Sequence, residues 1–513
     1  MLVLDPQGQW IVPLLGGHSS GAEQLAREYA ADLGGKAVLT GAAASQQRLA
    51  LDQFGQGWGW TRAGATDAWR ELMQNQARGE TATTEQTSGL TQWRDSANHA
   101  LIAQNGNRMA QLSIGPDQRS PCRWHPACAW IGVGCERNTS LSLVERAIQQ
   151  AIAQADTAIE AVAGIASADR KADEQALLTL IRERRWAFRT FSAQELDQVA
   201  VPTPSERVRS EMGTASVAEA AALLASGPTG VLRQPKQIVR AAPGEQGAAT
   251  IAIAISQEGY APQRGELHLI GSGPGDLSLL SADARQALTR CVAWVGYGLY
   301  LDLLEPLRRV DQVRCDGQLT REWERCAEAL AMAQQGARVA LISSGDSGIY
   351  GMAGLALELW LQQPEQSRPN FDVHPGISAL QLAAARVGAP LMHDFCTISL
   401  SDRLTPWPVI EQRLIAAAEG DFVVALYNPR SRGRDWQLGR ARDLLRTKRS
   451  GTTPVTLARQ LGRRDENVSL TTLEGLDPET VDMLTVILIG NSSSYIQDGR
   501  MTTPRGYQGK QAL

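Results

Sequence analysis

A glycine-rich turn between a strand and a helix constrains the fold of this chain more than any other feature. The segment LHLIGSGPGDLSLLS, residues 267–281, predicts a strand, then a turn at 271–275, then Asp276 ahead of a helix at 281–290. Glycine permits such a turn and lets a ligand approach the backbone closely. Nucleotide-binding folds of many kinds share this arrangement, so the turn alone indicates an α/β unit and no particular ligand.

Two further glycine-containing turns follow apolar segments later in the chain. VALISSGDSGIYG, residues 339–351, predicts a buried strand that ends in a Gly/Asp turn. VHPGISA, residues 373–379, predicts a strand-to-helix turn. Strands and helices also alternate between 129 and 255, and the polar segment 256–264 separates that region from the strand that begins at Glu266. This alternation is typical of an α/β protein with more than one domain.

The charge and hydropathy of the chain argue against a nucleic-acid or membrane partner. A net charge of -4 gives no basic field of the kind that nucleic-acid binding requires. No apolar run reaches membrane-spanning length, and the first residues lack the basic flank and long apolar stretch of a signal peptide. We therefore expect a cytoplasmic protein without a nucleic-acid or membrane partner.

Three of the seven cysteines lie close together, with a histidine between them. Cys122, Cys128, Cys135 and His125 are soft ligands that could bind zinc or an iron–sulfur cluster. Their spacing matches no common metal module, so small buried thiols are the favoured interpretation and we expect no metal.

Taken in order and spacing, 267–281, 339–351, 373–379, 393–402 and 424–431 resemble the tetrapyrrole (precorrin) methylase family. The resemblance covers 265–507 and is greatest to the precorrin-3B C(17)-methyltransferase branch. It implies S-adenosyl-L-methionine as cofactor, a precorrin or cobalt-precorrin as substrate, and a homodimer formed through this region. It also implies two α/β subdomains, 265–388 and 389–507, with the cofactor cleft between them. Methylation at another position of the macrocycle is the alternative.

The resemblance also implies the binding residues. The first turn would shape the tetrapyrrole trough through Gly273, Gly275 and Asp276. The second turn would carry most of the cofactor contacts, although many relatives have Pro where this chain has Ser347. The full set of implied cofactor contacts is Pro274, Gly345, Asp346, Ser347, Gly348, Ile349, Tyr350, Ser378, Ala379, Tyr427 and Asn428.

Ring contraction in this branch requires proton movement, for which His393 and Asp402 are the candidates. A structural role competes for His393, and a helix cap competes for Asp402. Arg430, beside an Asn-Pro turn, is the candidate to pair with substrate carboxylates, because guanidinium groups bind carboxylates through charge-assisted hydrogen bonds. A solvated surface loop is the alternative for Arg430.

The amino-terminal half resembles the cobalt-precorrin-5A hydrolases. The segments that carry the likeness are 11–22, 132–139, 165–174, 191–195 and 213–219. The resemblance implies a partial α/β domain at 1–60 and a second α/β domain at 127–256. The polar, Gln-rich stretch 61–126 is interpreted as an irregular middle region.

Two departures from the hydrolase pattern leave its activity open. In the hydrolase pattern about two βα units precede the strand that here begins at Leu2. In addition, Asn138 stands where that pattern usually has a Gly. Lactone hydrolysis needs a base and an oxyanion site, for which His18, Asp173 and Glu174 are candidates. As alternatives, His18 caps a turn and the two carboxylates complement a helix dipole. The competing hypothesis makes this half a non-catalytic corrinoid-binding module.

Overall fold

The computed structural model describes residues 1–15, 22–39, 48–97, 101–103, 109–318, 320–431 and 433–506. Its strands form six sheets, called sheets I to VI in chain order. Its α-helices are Ala22–Leu33, Phe54–Gly57, Thr66–Ala77, Arg94–Ala97, Leu141–Gln154, Gln175–Arg184, Ala193–Asp197, Glu206–Met212, Val217–Ser226, Ala282–Arg290, Gly298–Leu304, Glu322–Gln334, Ala353–Leu361, Ala379–Val387, Trp407–Glu419 and Gln437–Arg446.

Sheet I is small and belongs to the first residues of the chain. Its strands, in spatial order, are Leu2–Leu4, Trp10–Pro13 and Lys36–Ala37. The helix Ala22–Leu33 covers it, with Ile11, Ala26 and Ala30 forming a minimal core. The same helix also packs against the helix Ala282–Arg290 of the carboxyl-terminal half.

Sheet II corrects the interpretation of 61–126 as an irregular region. Five strands pair in the order Thr61–Gly64, Cys122–His125, Leu112–Ile114, Ala82–Gln86 and Leu101–Ala103. Its core is built largely from tryptophans, namely Trp58, Trp60, Trp69, Trp93 and Trp124. The strands are short and polar, and this core is continuous with that of sheet IV. The stabilising contacts are therefore tertiary, and local hydrophobic periodicity does not reveal them.

Sheet III is a mixed sheet. Its order is Ala187–Phe191, Val162–Ala168, Ala129–Cys135, Ala248–Ile255 and Val231–Arg240. The first three strands are parallel to one another, and Ala248–Ile255 is antiparallel to both of its neighbours. The helix Val217–Ser226 lies so close to the central strand that a Cβ on Gly132 would be 1.8 Å from the Ala218 carbonyl oxygen.

Sheet IV is wholly parallel and sheet V is mixed. Sheet IV has the order Val313–Gly317, Ala293–Tyr297, Arg338–Ser343, Glu266–Gly271 and Asn370–His374. Sheet V has the order Phe395–Ser399, Val423–Tyr427, Thr485–Ile489, Pro454–Arg459 and Asn467–Thr472. Sheet VI is a small ribbon whose strands are, in order, Gly388–Ala389, Arg500–Thr502 and Tyr495–Gln497.

The helix Ala379–Val387 connects the subdomain of sheet IV to that of sheet V, and each subdomain has its own core. The predicted α/β class with two carboxyl-terminal subdomains is confirmed. In the part of the chain that the structure describes, no helix is both long and apolar enough to cross a membrane.

Candidate functional site

Three turns meet at the carboxyl edge of sheet IV. They follow the strands Glu266–Gly271, Arg338–Ser343 and Asn370–His374, which are neighbours and parallel. Gly273 and Gly345 exchange backbone hydrogen bonds of 3.0 and 2.7 Å, which pair the first two turns. Loops at the carboxyl ends of parallel strands are the usual place for a ligand in α/β folds.

Glycine is required where these turns approach one another. Gly345 has a φ of +67°, in the left-handed region that glycine tolerates best. A Cβ on Gly376 would lie 2.1 Å from the carbonyl oxygen of Gly345 and 2.5 Å from that of Gly271. The three backbones are therefore in direct contact.

Asp346 connects the second turn to the third. Its Oδ1 accepts the backbone N–H of Gly348 at 2.8 Å, and its Oδ2 accepts the backbone N–H of Gly376 at 3.1 Å. The carboxylate thus fixes the shape of its own turn and its distance from the neighbouring one.

The opposite wall comes from sheet V. Tyr427 ends the strand Val423–Tyr427, and its hydroxyl accepts the backbone N–H of Leu380 at 3.1 Å. Burial raises the pKa of the Tyr427 hydroxyl, so it stays protonated at neutral pH. Its ring lies 5.2 Å from that of Tyr350, which joins the two subdomains across the cleft.

Two residues of this region hold the left-handed backbone conformation without being glycine. Tyr350 has a φ of +53° and Asn428 a φ of +51°. Such conformations are costly for side chains of this size, particularly for Tyr, and they cluster at functional sites. The Asn428 amide donates to Ser399 Oγ at 3.1 Å, which holds it in place.

Between the two walls lies a cavity of about 190 Å³, called the cleft below. All of the residues that the resemblance implied for the cofactor line it, except Ser347 and Gly348, which belong to the same turn as their neighbours. The sequence-predicted residues that line it are Pro274, Gly345, Asp346, Ile349, Tyr350, Ser378, Ala379, Tyr427 and Asn428.

The sequence interpretation missed part of the lining. These residues come mainly from the far subdomain: Tyr300, Ser344, Ala458, Gln460, Leu461, Arg463, Met483, Leu484, Thr485 and Val486. Most lie in strands of sheet V or just beyond their ends, with no glycine motif to mark them. The positive φ of Gln460, +50°, is a local signal that only the structure reveals.

Residues 266–477 match the family described as Tetrapyrrole (Corrin/Porphyrin) Methylases. The chain is 51% identical over 245 residues to the probable cobalt-factor III C(17)-methyltransferase of Salmonella typhimurium. That match spans 47% of this chain and 99% of the relative. The chain belongs to the tetrapyrrole methylase family.

Further comparisons cover both halves of the chain. The precorrin-3B C(17)-methyltransferase of a Sinorhizobium species is 40% identical over 251 residues, which are 48% of this chain and 98% of that protein. Among solved structures, the methyltransferase CobJ is 36% identical with a TM-score of 0.45, covering 47% of this chain and 100% of that one. Residues 1–44 and 129–254 match the families described as Cobalamin synthesis G N-terminal and C-terminus.

The residues that the resemblance implied for the substrate fall into two groups in the methylase region. Gly273, Gly275 and Asp276 flank Pro274 at the mouth of the cleft, and the Asp276 carboxylate accepts the backbone N–H of Ser278 at 2.8 Å. Arg430 donates to the Pro478 carbonyl at 2.7 Å and to the Glu479 carboxylate at 2.6 Å. Its guanidinium is thus held by the protein itself.

The structure describes two of the three catalytic candidates, His393 and Asp402, and does not bring them together. His393 precedes the strand Phe395–Ser399 and is therefore at the amino edge of sheet V, whereas the cleft lies at the carboxyl edge marked by Tyr427. Asp402 follows that strand, on the cleft side, and its carboxylate accepts from the Gln437 amide at 3.1 Å. The helix-cap alternative for Asp402 is wrong, because the next helix begins at Trp407. His18 lies outside the described residues.

In the amino-terminal half, Asp173 and Glu174 lie beside Arg137. The Arg137 guanidinium donates to Asp173 at 2.5 Å and holds the pKa of that carboxyl below its usual range. Glu174 is buried, with Lys171 Nζ 3.6 Å from its Oε2. Asn138, the departure from the hydrolase pattern, has a φ of +58°, so it occupies the conformation that Gly would and that Asn tolerates well.

The three clustered cysteines are free thiols. Burial raises the pKa of Cys122 and Cys128 to about 12 and that of Cys135 to about 11. His125 Nδ1 lies 2.6 Å from the Gly115 carbonyl oxygen, to which it donates. Among the described residues, no group of three or more His, Cys, Asp or Glu side chains is arranged to hold a metal ion.

Proposed function

We propose that this chain transfers a methyl group from S-adenosyl-L-methionine to C-17 of a precorrin-3B-type tetrapyrrole, with ring contraction, in cobalamin biosynthesis. The observation that carries the proposal is the cleft itself. Turns from both subdomains converge on it in a region 51% identical to a probable cobalt-factor III C(17)-methyltransferase. Either precorrin-3B or cobalt-factor III would serve as the substrate.

The lining of the cleft fits a nucleoside-like cofactor. Ile349, Leu461 and Val486 offer apolar surface to a base, and Asp346 and Asn428 offer polar atoms near it. Tyr350 and Asn428, which both have a left-handed backbone, line the same space, and strained backbone of this kind clusters at functional sites. Backbone-rich loops of this kind suit a zwitterionic amino-acid portion.

The bound cofactor would supply an already activated methyl group on a sulfonium sulfur. The protein's contribution is then alignment and exclusion of water, because proximity and orientation dominate such transfers. Asp346 keeps the second and third turns at a fixed separation, and Tyr427 holds the start of the helix Ala379–Val387. Gly273, Gly275 and Asp276 would border the tetrapyrrole trough beside Pro274.

Ring contraction requires a group that takes or gives a proton near the macrocycle. Asp402 is the better placed of the two carboxyl-terminal candidates, because it follows the strand Phe395–Ser399 on the cleft side. The Gln437 amide donates to it and orients its carboxylate. His393, at the other edge of the sheet, would act only outside the cleft.

Transfer of label from methyl-labelled S-adenosyl-L-methionine to precorrin-3B tests the proposal. We expect a single labelled product whose NMR spectrum places the methyl group at C-17. Asp346→Ala should remove most of the label, whereas Asp67→Ala, at an exposed position in the middle region, should not. Label at another carbon would favour the alternative target, and no label from the wild-type chain would overturn the activity.

We propose lactone hydrolysis of cobalt-precorrin-5A as a second activity, in the amino-terminal half. The observation that favours it is Glu174, a buried carboxylate whose Oε2 accepts no hydrogen bond within the described residues. Acetaldehyde release from cobalt-precorrin-5A measures this activity directly, with Glu174→Gln as the variant and Glu145→Gln, a half-buried carboxylate of the helix Leu141–Gln154 that lies 4.0 Å from Arg184, as its control. Absence of release from the wild-type chain would leave the non-catalytic corrinoid-binding module as the role of this half.

The resemblance further implies assembly as a homodimer through the methylase region, and we include it in the proposal. Sedimentation equilibrium measures the mass directly. A single species of twice the chain mass of 55.4 kDa is expected, and a monomer at micromolar concentration would contradict it.

A further inference from the structure

A second cavity, larger than the cleft, lies at the other edge of sheet IV. It has a volume of about 620 Å³ and is enclosed by three parts of the chain: the helix Ala22–Leu33 with its following loop, residues 48–57, and the methylase subdomain of sheet IV. The methylase part of the lining includes Val292 and Trp294, at the start of the strand Ala293–Tyr297. It also includes Arg338, the first residue of the strand Arg338–Ser343. The cleft is at the carboxyl ends of the same parallel sheet, so the two cavities lie on opposite edges.

Guanidinium groups dominate the polar lining of this cavity. Its arginines are Arg27, Arg48, Arg285, Arg290, Arg309 and Arg338, and we call it the arginine cavity. Among the described residues that line it, Asp311 is the one carboxylate. A concave site lined by one sign of charge concentrates ions of the other sign.

The protein's own carboxylates, Glu23, Glu266 and Asp311, offset this charge only in part, and Glu23 Oε2 lies 3.9 Å from the Arg27 guanidinium. Glu266 is shared, since Arg290 donates to it at 2.9 Å and Arg338 lies 3.4 Å from it. Asp311 is likewise engaged by Arg309 at 2.9 Å while also lying near Arg27.

Two arginines of the cavity donate to neutral partners. Arg48 donates to the Gln76 carbonyl at 3.0 Å, and Arg285 donates to the Leu277 carbonyl at 2.9 Å. Arg338 Nε is buried and, within the described residues, donates no hydrogen bond. Burial, followed by the nearby charge of Arg309, lowers the pKa of Arg27, as expected where cations crowd together away from water.

The remaining lining is apolar. Phe54, Leu288, Val292, Trp294 and Leu307 form the surface between the arginines. Inorganic phosphate or sulfate would leave this surface without contact and the volume unfilled. An organic framework that carries several carboxylates satisfies both parts of the lining, because carboxylates pair with guanidinium forks and the framework covers the apolar surface.

We propose that the arginine cavity is a second binding site, for an organic polycarboxylate, separate from the cleft. Within this class, a carboxylate-bearing tetrapyrrole offers both a flat apolar ring for the apolar lining and several carboxylates for the arginines. The choice of a tetrapyrrole as the ligand rests on the proposed function. The existence of a polycarboxylate site does not depend on it. The site joins the amino-terminal unit to the methylase subdomain, so a ligand held there contacts both.

Uroporphyrin III, a porphyrin with a carboxylate on every side chain, is the probe, and its binding to the full chain is followed by equilibrium dialysis. We expect two classes of site in the wild-type chain, one at the tetrapyrrole trough beside the cleft and one at the arginine cavity. Arg27→Gln and Arg48→Gln should each weaken one class about tenfold, as loss of a charge-assisted hydrogen bond does. Affinity at that class should also fall as salt is raised.

The controls separate this site from folding and from the cleft. Arg207→Gln removes the same charge from an exposed helix and should leave both classes unchanged. Arg48→Lys keeps the charge and should retain most of the binding. Affinity for S-adenosylhomocysteine, measured by calorimetry, should be the same in all of these variants.

Three results would overturn the inference. The first is a loss in Arg27→Gln and Arg48→Gln no greater than in Arg207→Gln. The second is equal binding of mesoporphyrin, which has the same ring and few carboxylates. The third is displacement of uroporphyrin by inorganic phosphate at matched concentration. Displacement by citrate would keep the polycarboxylate site and overturn the tetrapyrrole as its ligand. Failure of methyl transfer with normal uroporphyrin binding would overturn the proposed function alone.

Discussion

The carboxylate of Asp346 accepts the backbone N–H of Gly376 at 3.1 Å, across two turns that are 30 residues apart in the chain. Its other oxygen accepts the N–H of Gly348, within its own turn. Asp346 therefore positions the backbone of two turns in the sheet IV wall of the cleft, in addition to presenting a charge to it. Replacing Asp346 would therefore weaken cofactor binding partly by letting the two turns move, and not only by removing a charge.

Replacement of Asp346 by Ala is expected to weaken S-adenosylhomocysteine binding about tenfold or more, since a hydrogen bond to a charged group contributes about 1.5–3 kcal/mol. Asp346→Asn keeps one acceptor oxygen and should lose less. Calorimetry on both variants and on Asp67→Ala measures the effect. An affinity in Asp346→Ala equal to that of the wild-type chain would place the cofactor elsewhere.

Replacement of Tyr427 by Phe tests the other wall of the cleft. The change removes the acceptor of the Leu380 N–H, at a cost of about 1 kcal/mol in the free energy of unfolding. Because that N–H lies at the start of the helix Ala379–Val387, we also expect weaker cofactor binding. Chemical denaturation and calorimetry report the two effects, with the exposed Tyr495→Phe as the matched control. A Tyr427→Phe variant indistinguishable from this control would show that the hydrogen bond does not contribute.

Alanine at Gly376 should be far more harmful than alanine at Gly354. The new Cβ at 376 would meet two carbonyl oxygens within 2.5 Å, and backbone atoms of packed turns have little room to shift. We expect a loss of about 3 kcal/mol or more in unfolding free energy. At Gly354, in the helix Ala353–Leu361, a Cβ would meet no atom within 4 Å, so Gly354→Ala should stabilise by up to about 1 kcal/mol. Thermal melts of the two variants give the comparison, and equal melting temperatures would contradict the close packing of the turns.

The near half of the cleft could be predicted from the sequence because its signals are local. Gly345, Asp346 and Ser378 stand in turns that follow predicted strands within a few residues. A short window of sequence therefore contains both the strand and its turn. Arg463 and Leu484, from the sheet V subdomain, meet the glycine turns only because the two subdomains pack together. No pattern within a short window of sequence reports such a contact.

The middle region shows the same limit for the fold. Its strands are short and polar, with Thr84, Glu85 and Gln86 inside one of them. The helix Thr66–Ala77 and the tryptophan core hold these strands against sheet IV, where Gly57 lies so close to Val292 that a Cβ would be 2.0 Å from its side chain. Burial supplied by another domain overrides weak strand propensity, and the sequence of the region alone does not contain that information.

The pair Glu466–Arg386 should make the methylase region sensitive to acid. The Arg386 guanidinium, donating at 2.5 Å, and the Gly462 N–H hold the pKa of the Glu466 carboxyl below its usual range. A carboxyl whose pKa is lower in the folded state stabilises the fold above its unfolded pKa, about 4.3, and that stability is lost as pH falls through the folded pKa. Unfolding free energies measured between about pH 6 and about pH 3 should fall less steeply in Glu466→Gln than in the wild-type chain. Parallel pH profiles would contradict a contribution from this carboxyl, and Glu474→Gln serves as the control.

The clustered thiols should resist alkylation in the folded chain. Burial raises the pKa of Cys122 and Cys128 to about 12, so almost no thiolate is present at pH 8, and both side chains are inaccessible. We expect a thiol reagent to modify them only on the timescale of unfolding, whereas all seven cysteines of the chain should react in denaturant. Mass spectrometry of the peptides that contain Cys122 and Cys128 measures the rate. Fast labelling that appears only after treatment with a chelator would instead reveal a bound metal and revive the zinc or iron–sulfur interpretation.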